Sequence, residues 1–204
     1  MSVAGYVLAG GASSRFGEDK ARVVLGGQPM LARMVELMRG VAEITKIVAF
    51  EGKYGEFGAE VIADCWPGQG PLGGIITALM TTGNAKLECK WNFVVSCDMP
   101  FLTHKWLAYM AERAKVSNAE VLVPRSTQGL EPLCACWRTS AVKKLMYAFE
   151  DGTRKVTEAM KRLEMEVLDE AEWKRFDSAG RLFWNMNTQA DYEEARRILE
   201  AEKR

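Results

Sequence analysis

The sequence carries no net charge: 27 lysines and arginines balance 27 aspartates and glutamates over 204 residues. Because no basic run interrupts this balance, the chain lacks the electrostatic footprint of a nucleic-acid-binding protein. No apolar run approaches the roughly 20 residues that span a bilayer. Residues 1–5 contain neither a charged segment nor a long apolar one, so we expect no signal peptide and no membrane segment. The few cations that cluster therefore indicate a local anion site.

Cysteine and histidine are too sparse for several kinds of site. The chain has one histidine and five cysteines, an odd number without Cys-x-x-Cys spacing. A disulfide framework and a zinc site are therefore not expected. Cys134 and Cys136 are two residues apart, so on a strand they would share one face. We expect reduced, buried thiols in a cytoplasmic protein.

The remaining pattern predicts one α/β domain over residues 1–204. Hydrophobic residues make up 48% of the chain and charged residues 26%, which is ordinary for a globular protein. Apolar strand patterns alternate with helical ones, for example a helical stripe over residues 30–38, and this favours a mostly parallel sheet between helices. No linker or repeat divides the chain. The predicted strands are 5–9, 46–50, 60–63, 92–97, 119–124, 131–137 and 182–185.

A glycine-rich loop begins at Gly10, directly after the first predicted strand. Backbone N–H groups of such a loop are free to face an anion, and Arg15 and Lys20 supply countercharge. The loop is not a P-loop, because five residues separate Gly11 from Gly17 and no serine or threonine follows Lys20. It is not a dinucleotide fingerprint either, because Gly10 and Gly11 are adjacent. Our hypothesis is a loop that binds a nucleoside triphosphate.

Further polar or glycine-rich features follow other predicted strands. Asp64 ends the third strand, residues 68–74 form a second glycine-rich segment, and Asp98 ends the fourth strand. Asn187 follows the last one. Since ligands of parallel α/β sheets bind outside the carboxyl ends of the strands, these features predict one site at that edge. The alternative is that they are ordinary turn and cap residues.

The first loop resembles the signature of the molybdenum cofactor guanylyltransferase family through Leu8-Ala9-Gly10-Gly11-x-Ser13-x-Arg15-x-Gly17-x-Asp19-Lys20. The resemblance continues, in the family's order and over nearly the whole chain, in Asp64, Gly70-Pro71-Leu72-Gly73-Gly74-Ile75, Cys97-Asp98-Met99-Pro100-Phe101, Glu131-Pro132-Leu133 and Asn185-x-Asn187-Thr188. It implies a three-layer, Rossmann-like nucleotidyltransferase fold. The nucleotide-binding half would span about residues 1–100 and the acceptor-binding half about residues 101–204.

The resemblance also implies roles for individual residues. Arg15 and Lys20 would hold the triphosphate and act in catalysis, and Asp64 would contact the nucleoside. Asp98 would also act in catalysis and would bind Mg²⁺ as well as nucleotide, with Asn187 near the metal ion and the phosphates. The backbone of four residues would line the base and the ribose: Leu8, Ala9, Gly10 and Gly11.

The implied activity is Mg²⁺-dependent transfer of GMP from GTP to molybdopterin or molybdenum cofactor, releasing pyrophosphate. Positioned cations would neutralise the phosphates, and a single carboxylate, Asp98, is enough to hold Mg²⁺. A terminal pterin phosphate is already largely deprotonated, since its second pKa is about 6. No general base is then needed, which agrees with the single histidine. Molybdenum-insertion proteins and molybdoenzymes are the implied protein partners.

Several alternatives stay open. CTP or another nucleotide could replace GTP: related cytidylyltransferases have Leu-Ala-Ala-Gly where this chain has two glycines, which favours a larger purine here. Phe50 and Glu51, however, stand where the family commonly has a guanine-contacting asparagine. The acceptor could be a sugar phosphate or phospholactate, or the chain could be an inactive nucleotide-binding adaptor. The candidate acceptor contacts are Arg125, Glu131, Pro132, Leu133, Arg154 and Lys155.

Overall fold

The computed structural model describes residues 2–10, 19–85 and 89–202. Within these residues, the strands are β1 (Val3–Leu8), β2 (Val24–Leu25), β3 (Gln28–Pro29), β4 (Ile44–Ala49), β5 (Glu60–Ala63), β6 (Trp91–Ser96), β7 (Val121–Ser126), β8 (Gly129–Leu130), β9 (Cys134–Arg138) and β10 (Met165–Leu168). The helices are α1 (Met30–Arg39), α2 (Pro71–Asn84), α3 (His104–Val116), α4 (Val142–Glu150), α5 (Val156–Ala159), α6 (Glu170–Trp173) and α7 (Gln189–Glu202). Three short 3₁₀ turns span Gly55–Phe57, Thr139–Ala141 and Met160–Arg162.

The main sheet has the strand order β10-β7-β9-β6-β1-β4-β5, with β8 paired to β7. β5, β4, β1 and β6 are parallel neighbours, whereas β9 runs antiparallel to both β6 and β7. Leu8 pairs with Ser96, so β1 and β6 end level with each other. The antiparallel β9 begins at that same edge, since Cys134 pairs with Val95. The segments after β1 and β6 and before β9 therefore meet at one place.

Helices cover both faces of this sheet. One core lies between the sheet and α1, α3 and α6, and it includes the α1 residues Leu31, Met34 and Met38. The other core lies between the sheet and α2, α4 and α5. β1 is buried along its whole length, as expected for a strand covered on both sides. The predicted three-layer α/β fold with a mostly parallel sheet is confirmed.

The helical stripe predicted over residues 30–38 is also confirmed, because its apolar positions are buried on one face of α1. Outside the main sheet, β2 and β3 form a small hairpin whose turn is Gly26-Gly27. Both glycines have positive φ, 67° and 96°, as the tight two-residue hairpin turn requires. Among the residues described, no helix is long and apolar enough to cross a membrane.

The predicted last strand at residues 182–185 is wrong. The edge position beside β7 is taken by β10, which pairs with it in parallel. The Asp177 carboxylate accepts hydrogen bonds from the backbone N–H groups of Arg181 and Leu182, so these groups are not available to a strand. Leu182 and Phe183 are nevertheless buried against the α3 and α6 side of the core, which explains their apolar pattern.

Candidate active site

The backbone that follows β1 forms the floor of a cleft. The N–H of Ala9 donates to the carbonyl of Val48 (2.9 Å), and the N–H of Cys97 donates to the carbonyl of Leu8 (3.3 Å). These bonds hold the backbone of Leu8 and Ala9 between β4 and the end of β6. Gly10 comes next and is exposed, and a Cβ atom built on it would meet no atom of the described residues within 4 Å. Its φ is not in the left-handed region, so the fold itself does not require glycine at this position.

Asp98 stands at the end of β6, beside that floor. The hydroxyl of Ser96 donates to Oδ1 of Asp98 (2.6 Å), and the backbone carbonyl of Asp98 accepts from the N–H of Met186 (2.9 Å). The side chain keeps about a fifth of its surface exposed, 20%. The carboxylate is therefore held in place but still faces the cleft.

Lys20 joins Asp98 to the segment before α7. Its ammonium donates to Oδ1 of Asn187 (2.8 Å) and lies 3.8 Å from Oδ2 of Asp98. The Lys20 side chain is only 19% exposed, so its charge is partly shielded from solvent. Three residues that the sequence places far apart are thus brought together, as predicted.

Asn187 is oriented by the N-terminal end of α7. Oδ2 of Asp191 accepts from the backbone N–H groups of Asn187 (2.8 Å) and Thr188 (2.7 Å), and Thr188 caps the N–H of Asp191 in return (3.2 Å). Partial burial acts to raise the pKa of Asp191, but these hydrogen bonds outweigh it and the pKa is lowered. The carboxylate is therefore ionised and able to hold the loop at neutral pH.

Together these groups give the cleft both signs of charge. It is lined by the β1 floor, by Lys20 and Asp98, and by Asp19, Ala21 and Tyr54. An ammonium in a partly dry cleft can bind phosphate oxygens, and a carboxylate can bind a hard cation. Among residues 2–10, 19–85 and 89–202, no group of three or more His, Cys, Asp or Glu side chains forms a metal site.

Asp64 faces an adjoining cleft that shares Leu8, Gly10 and Ser96 with the first one. Its Oδ1 accepts from the N–H of Trp66 (3.0 Å) and from the hydroxyl of Thr77 (3.2 Å). These bonds make Asp64 a turn residue as well as a cleft residue. The turn interpretation therefore describes its hydrogen bonds, and the nucleoside contact stays a prediction.

The second glycine-rich segment leads into α2, which begins at Pro71. The first turn of α2 packs closely beside Asp64. A Cβ atom on Gly73 would come within 3.1 Å of Cβ of Trp66, and one on Gly74 within 3.3 Å of a Leu8 methyl group. Glycine at these two positions therefore lets α2 approach the Asp64 turn and the β1 floor. The adjoining cleft depends on that close approach.

Cys97 lies under the cleft and is buried. Burial, with a further contribution from the Asp98 carboxylate, raises the pKa of this thiol to about 12. The thiol is therefore protonated at neutral pH, which agrees with a packing role and not with that of a nucleophile.

The acceptor candidates occupy different positions. Glu131 accepts from the hydroxyl of Ser126 (2.5 Å), and burial raises its pKa. Leu133 lines the Asp64 cleft. Arg154 lies against the Phe149 ring, 3.8 Å from its centroid, and donates to Oε1 of Gln69 (3.0 Å). Arg154 therefore connects α4 to the loop before α2.

Some predicted site residues lie outside the part of the chain that the structure describes, and others were not predicted. Gly11 and Arg15 fall within residues 11–18, which are not described. The roles of Ser96 and Tyr54 escape the sequence interpretation. Ser96 could have been noticed as the one polar residue that ends an apolar strand beside Asp98. Tyr54 carries no local signal.

Comparison with known proteins supports a single assignment. Residues 5–166 match the model of the MobA-like NTP transferase domain. A probable molybdenum cofactor guanylyltransferase from Clostridium perfringens is 31% identical over 191 residues, covering 92% of this chain and 93% of that protein. Another from Pyrococcus furiosus is 38% identical over 160 residues, covering 76% and 77% of the two chains. The crystal structure of molybdopterin-guanine dinucleotide biosynthesis protein A from Archaeoglobus fulgidus is 27% identical, with a TM-score of 0.83, and the match covers 97% of this chain and 99% of that one.

The three-layer fold and these matches show that the protein is a nucleotidyltransferase. The chain belongs to the MobA-like NTP transferase domain family. The family resemblance found in the sequence is therefore confirmed.

Proposed function

We propose that this protein transfers GMP from GTP to the terminal phosphate of molybdopterin or molybdenum cofactor and releases pyrophosphate. The observation that carries the proposal is the meeting of Lys20, Asp98 and Asn187 beside the open floor at Gly10. The names of the relatives support the same reaction, since two of them are named probable molybdenum cofactor guanylyltransferase.

The Lys20 ammonium binds the triphosphate in this proposal. It can supply charge-assisted hydrogen bonds to oxygens of the leaving pyrophosphate. Asn187 accepts a hydrogen bond from that ammonium and so holds it at the cleft. Gly10 leaves room for the nucleotide to lie directly on the backbone, and Leu8 and Ala9 complete this surface. Gly11 and Arg15 remain predicted contacts to the same nucleotide.

The Asp98 carboxylate fits Mg²⁺ as the resident ion. Mg²⁺ takes oxygen ligands and is usually held by one or two carboxylates together with substrate phosphates and water. Asp98 supplies such an oxygen, while Ser96 fixes the other oxygen of the carboxylate (2.6 Å). When bound, the ion would add positive charge at the phosphates, as in phosphoryl transfer generally. Asp98 is thus proposed as the metal ligand.

The acceptor is proposed to enter from the half formed by residues 101–204, and residues 1–100 to form the nucleotide half of one domain. Residues 131–133 reach the shared edge because β9 is antiparallel to β6. The acceptor phosphate acts as the nucleophile, and its oxygen attacks the α-phosphorus of GTP. The bond to the β-phosphate breaks, and pyrophosphate leaves. The acceptor phosphate needs no general base, because it is largely ionised at neutral pH.

GTP is the proposed nucleotide because Gly10 leaves the floor open for a purine. Asp64 is proposed to contact the nucleoside from the adjoining cleft. Oδ1 accepts the hydrogen bonds from Trp66 and Thr77, so Oδ2 is the oxygen proposed to make this contact. Phe50 follows β4 and is 40% exposed, so it presents a ring and not an amide to the solvent near this edge.

A pyrophosphate-release assay tests this function. Each of the four ribonucleoside triphosphates is supplied with Mg²⁺, with and without molybdenum cofactor as acceptor. Release that requires both GTP and the cofactor is expected. Release that prefers CTP, or that proceeds equally well without the cofactor, would contradict the proposal.

A further inference from the structure

Tyr54 has an unusual backbone for its residue type. Among the residues described, it is the one non-glycine residue with positive φ, at 66°. It comes just before the 3₁₀ turn Gly55–Phe57, and its side chain is buried, at 5% exposure. A bulky residue persists in the left-handed region only where its surroundings hold it there, and such residues cluster at functional sites.

The Tyr54 hydroxyl explains what this conformation achieves. It donates to both carboxylate oxygens of Asp19, at 2.9 Å to Oδ1 and 3.0 Å to Oδ2. Burial, together with the neighbouring Asp19 carboxylate, raises the pKa of Tyr54 well above its usual value. The hydroxyl therefore keeps its proton and remains a donor at every pH at which the enzyme would work.

Asp19 is fixed from several directions. Oδ2 of Asp19 also accepts from Arg22 (3.0 Å), and Oδ1 accepts from the backbone N–H of Ala21 (3.2 Å). The Arg22 guanidinium lies 5.1 Å from the centroid of the Tyr54 ring and donates to Glu56 as well. The peptide on either side of Lys20 is thereby tied to the loop that follows β4.

We propose that Tyr54 is a positioning residue, which acts through Asp19 to hold the Lys20 ammonium at the nucleotide cleft. Asp19, Lys20 and Tyr54 line that cleft together, and Asp19 is the residue directly before Lys20. The inference rests on the proposed function, because it takes Lys20 as a ligand of the triphosphate. It adds that the affinity for the nucleotide depends on the hydroxyl of a largely buried residue in the wall of the cleft.

Tyr54→Phe tests the proposal, because it keeps the ring and removes only the hydroxyl. Because the lost hydrogen bond is to Asp19 and affects GTP only through Lys20, we expect only part of its free energy to appear in nucleotide binding, as a rise in KM for GTP of about three- to tenfold. The KM for the acceptor is expected to stay the same, as is the unfolding temperature within a few degrees. Tyr147→Phe is the matched control, since Tyr147 is 63% exposed on α4. A purely structural role would lower the unfolding temperature and leave KM unchanged.

A double-mutant cycle with Lys20→Met tests separately whether Lys20 binds the triphosphate and whether Tyr54 acts through Lys20. If Tyr54 acts through Lys20, Tyr54→Phe has no further effect on GTP affinity once the ammonium is gone. Additive effects would overturn the proposal and leave the proposed function standing. If Lys20→Met itself left GTP affinity unchanged, the triphosphate role of Lys20 would fail, and the inference with it. Should Tyr54→Phe not fold, Asp19→Asn is measured in its place, with the same expected coupling.

Discussion

Replacing Lys20 by methionine is expected to weaken nucleotide binding and to strengthen metal binding by the nucleotide-free protein. The ammonium lies 3.8 Å from Oδ2 of Asp98, so it supports an anion at the cleft and opposes a second cation at Asp98. Methionine keeps most of the length of the side chain and removes the charge. The two effects therefore have opposite signs.

The size of each effect follows from the geometry. A hydrogen bond to a charged group contributes about 1.5–3 kcal/mol, so Lys20→Met should weaken GTP binding by about 10- to 100-fold. For the metal, one positive charge about 5 Å from a divalent ion costs about 1.7 kcal/mol even at the dielectric constant of water. Removing that charge should tighten metal binding by about 10- to 20-fold, and less at high salt.

Direct binding measurements can detect both changes without turnover. Mn²⁺ serves as a spectroscopic substitute for Mg²⁺ and is titrated into nucleotide-free protein at low ionic strength, with the free ion followed by electron paramagnetic resonance. GTP binding is measured separately by calorimetry. Asp98→Asn is the control and should abolish the specific Mn²⁺ binding while the protein stays folded. Weaker Mn²⁺ binding by Lys20→Met, or unchanged GTP binding, would refute the assigned roles of these two residues.

Three further outcomes are expected. Gly10→Ala should leave the unfolding temperature unchanged, because its Cβ would meet no atom in the described part of the chain, but it should raise KM for GTP severalfold. Gly83→Ala, at the far end of α2, is the control and should not change KM. Arg154→Ala and Gln69→Ala should each raise KM for GTP, and non-additively, because the two side chains hydrogen-bond (3.0 Å); a rise in the acceptor KM for Arg154→Ala alone would contradict this. Iodoacetamide at neutral pH should alkylate the exposed Cys65 before the buried thiols; mass spectrometry that found a buried cysteine modified first would count against the packing described.

The parts of the fold that the sequence predicted are those with strong local patterns. The stripe of α1 has the spacing of a helix with one buried face, and it is buried as predicted. Asp98 follows a continuous apolar strand, so its place at the carboxyl edge follows from the topology of parallel sheets. Lys20 and Asn187 meet because the segments that carry them adjoin the same edge.

Two contacts between distant segments, those of Tyr54 and of Arg154, could not be predicted in this way. Nothing near Tyr54 in the sequence indicates that its hydroxyl reaches Asp19, 35 positions away. Arg154 carries the charge expected of an acceptor contact, but in the structure it packs against Phe149 and donates to Gln69. The sequence around Arg154 predicts neither of these contacts. Residues 182–185 have an apolar pattern, but buried loop residues and edge strands give similar patterns over four positions.

Isotope transfer from labelled GTP shows whether the protein catalyses nucleotidyl transfer to the cofactor. GTP labelled at the α-phosphate is incubated with the protein, Mg²⁺ and molybdenum cofactor, and GTP labelled at the γ-phosphate is run in parallel. The proposed reaction moves the α-label into the cofactor product and the γ-label into pyrophosphate. Label from the γ-phosphate in the cofactor product, or no α-label there while the cofactor and GTP are both bound, would contradict nucleotidyl transfer at this site.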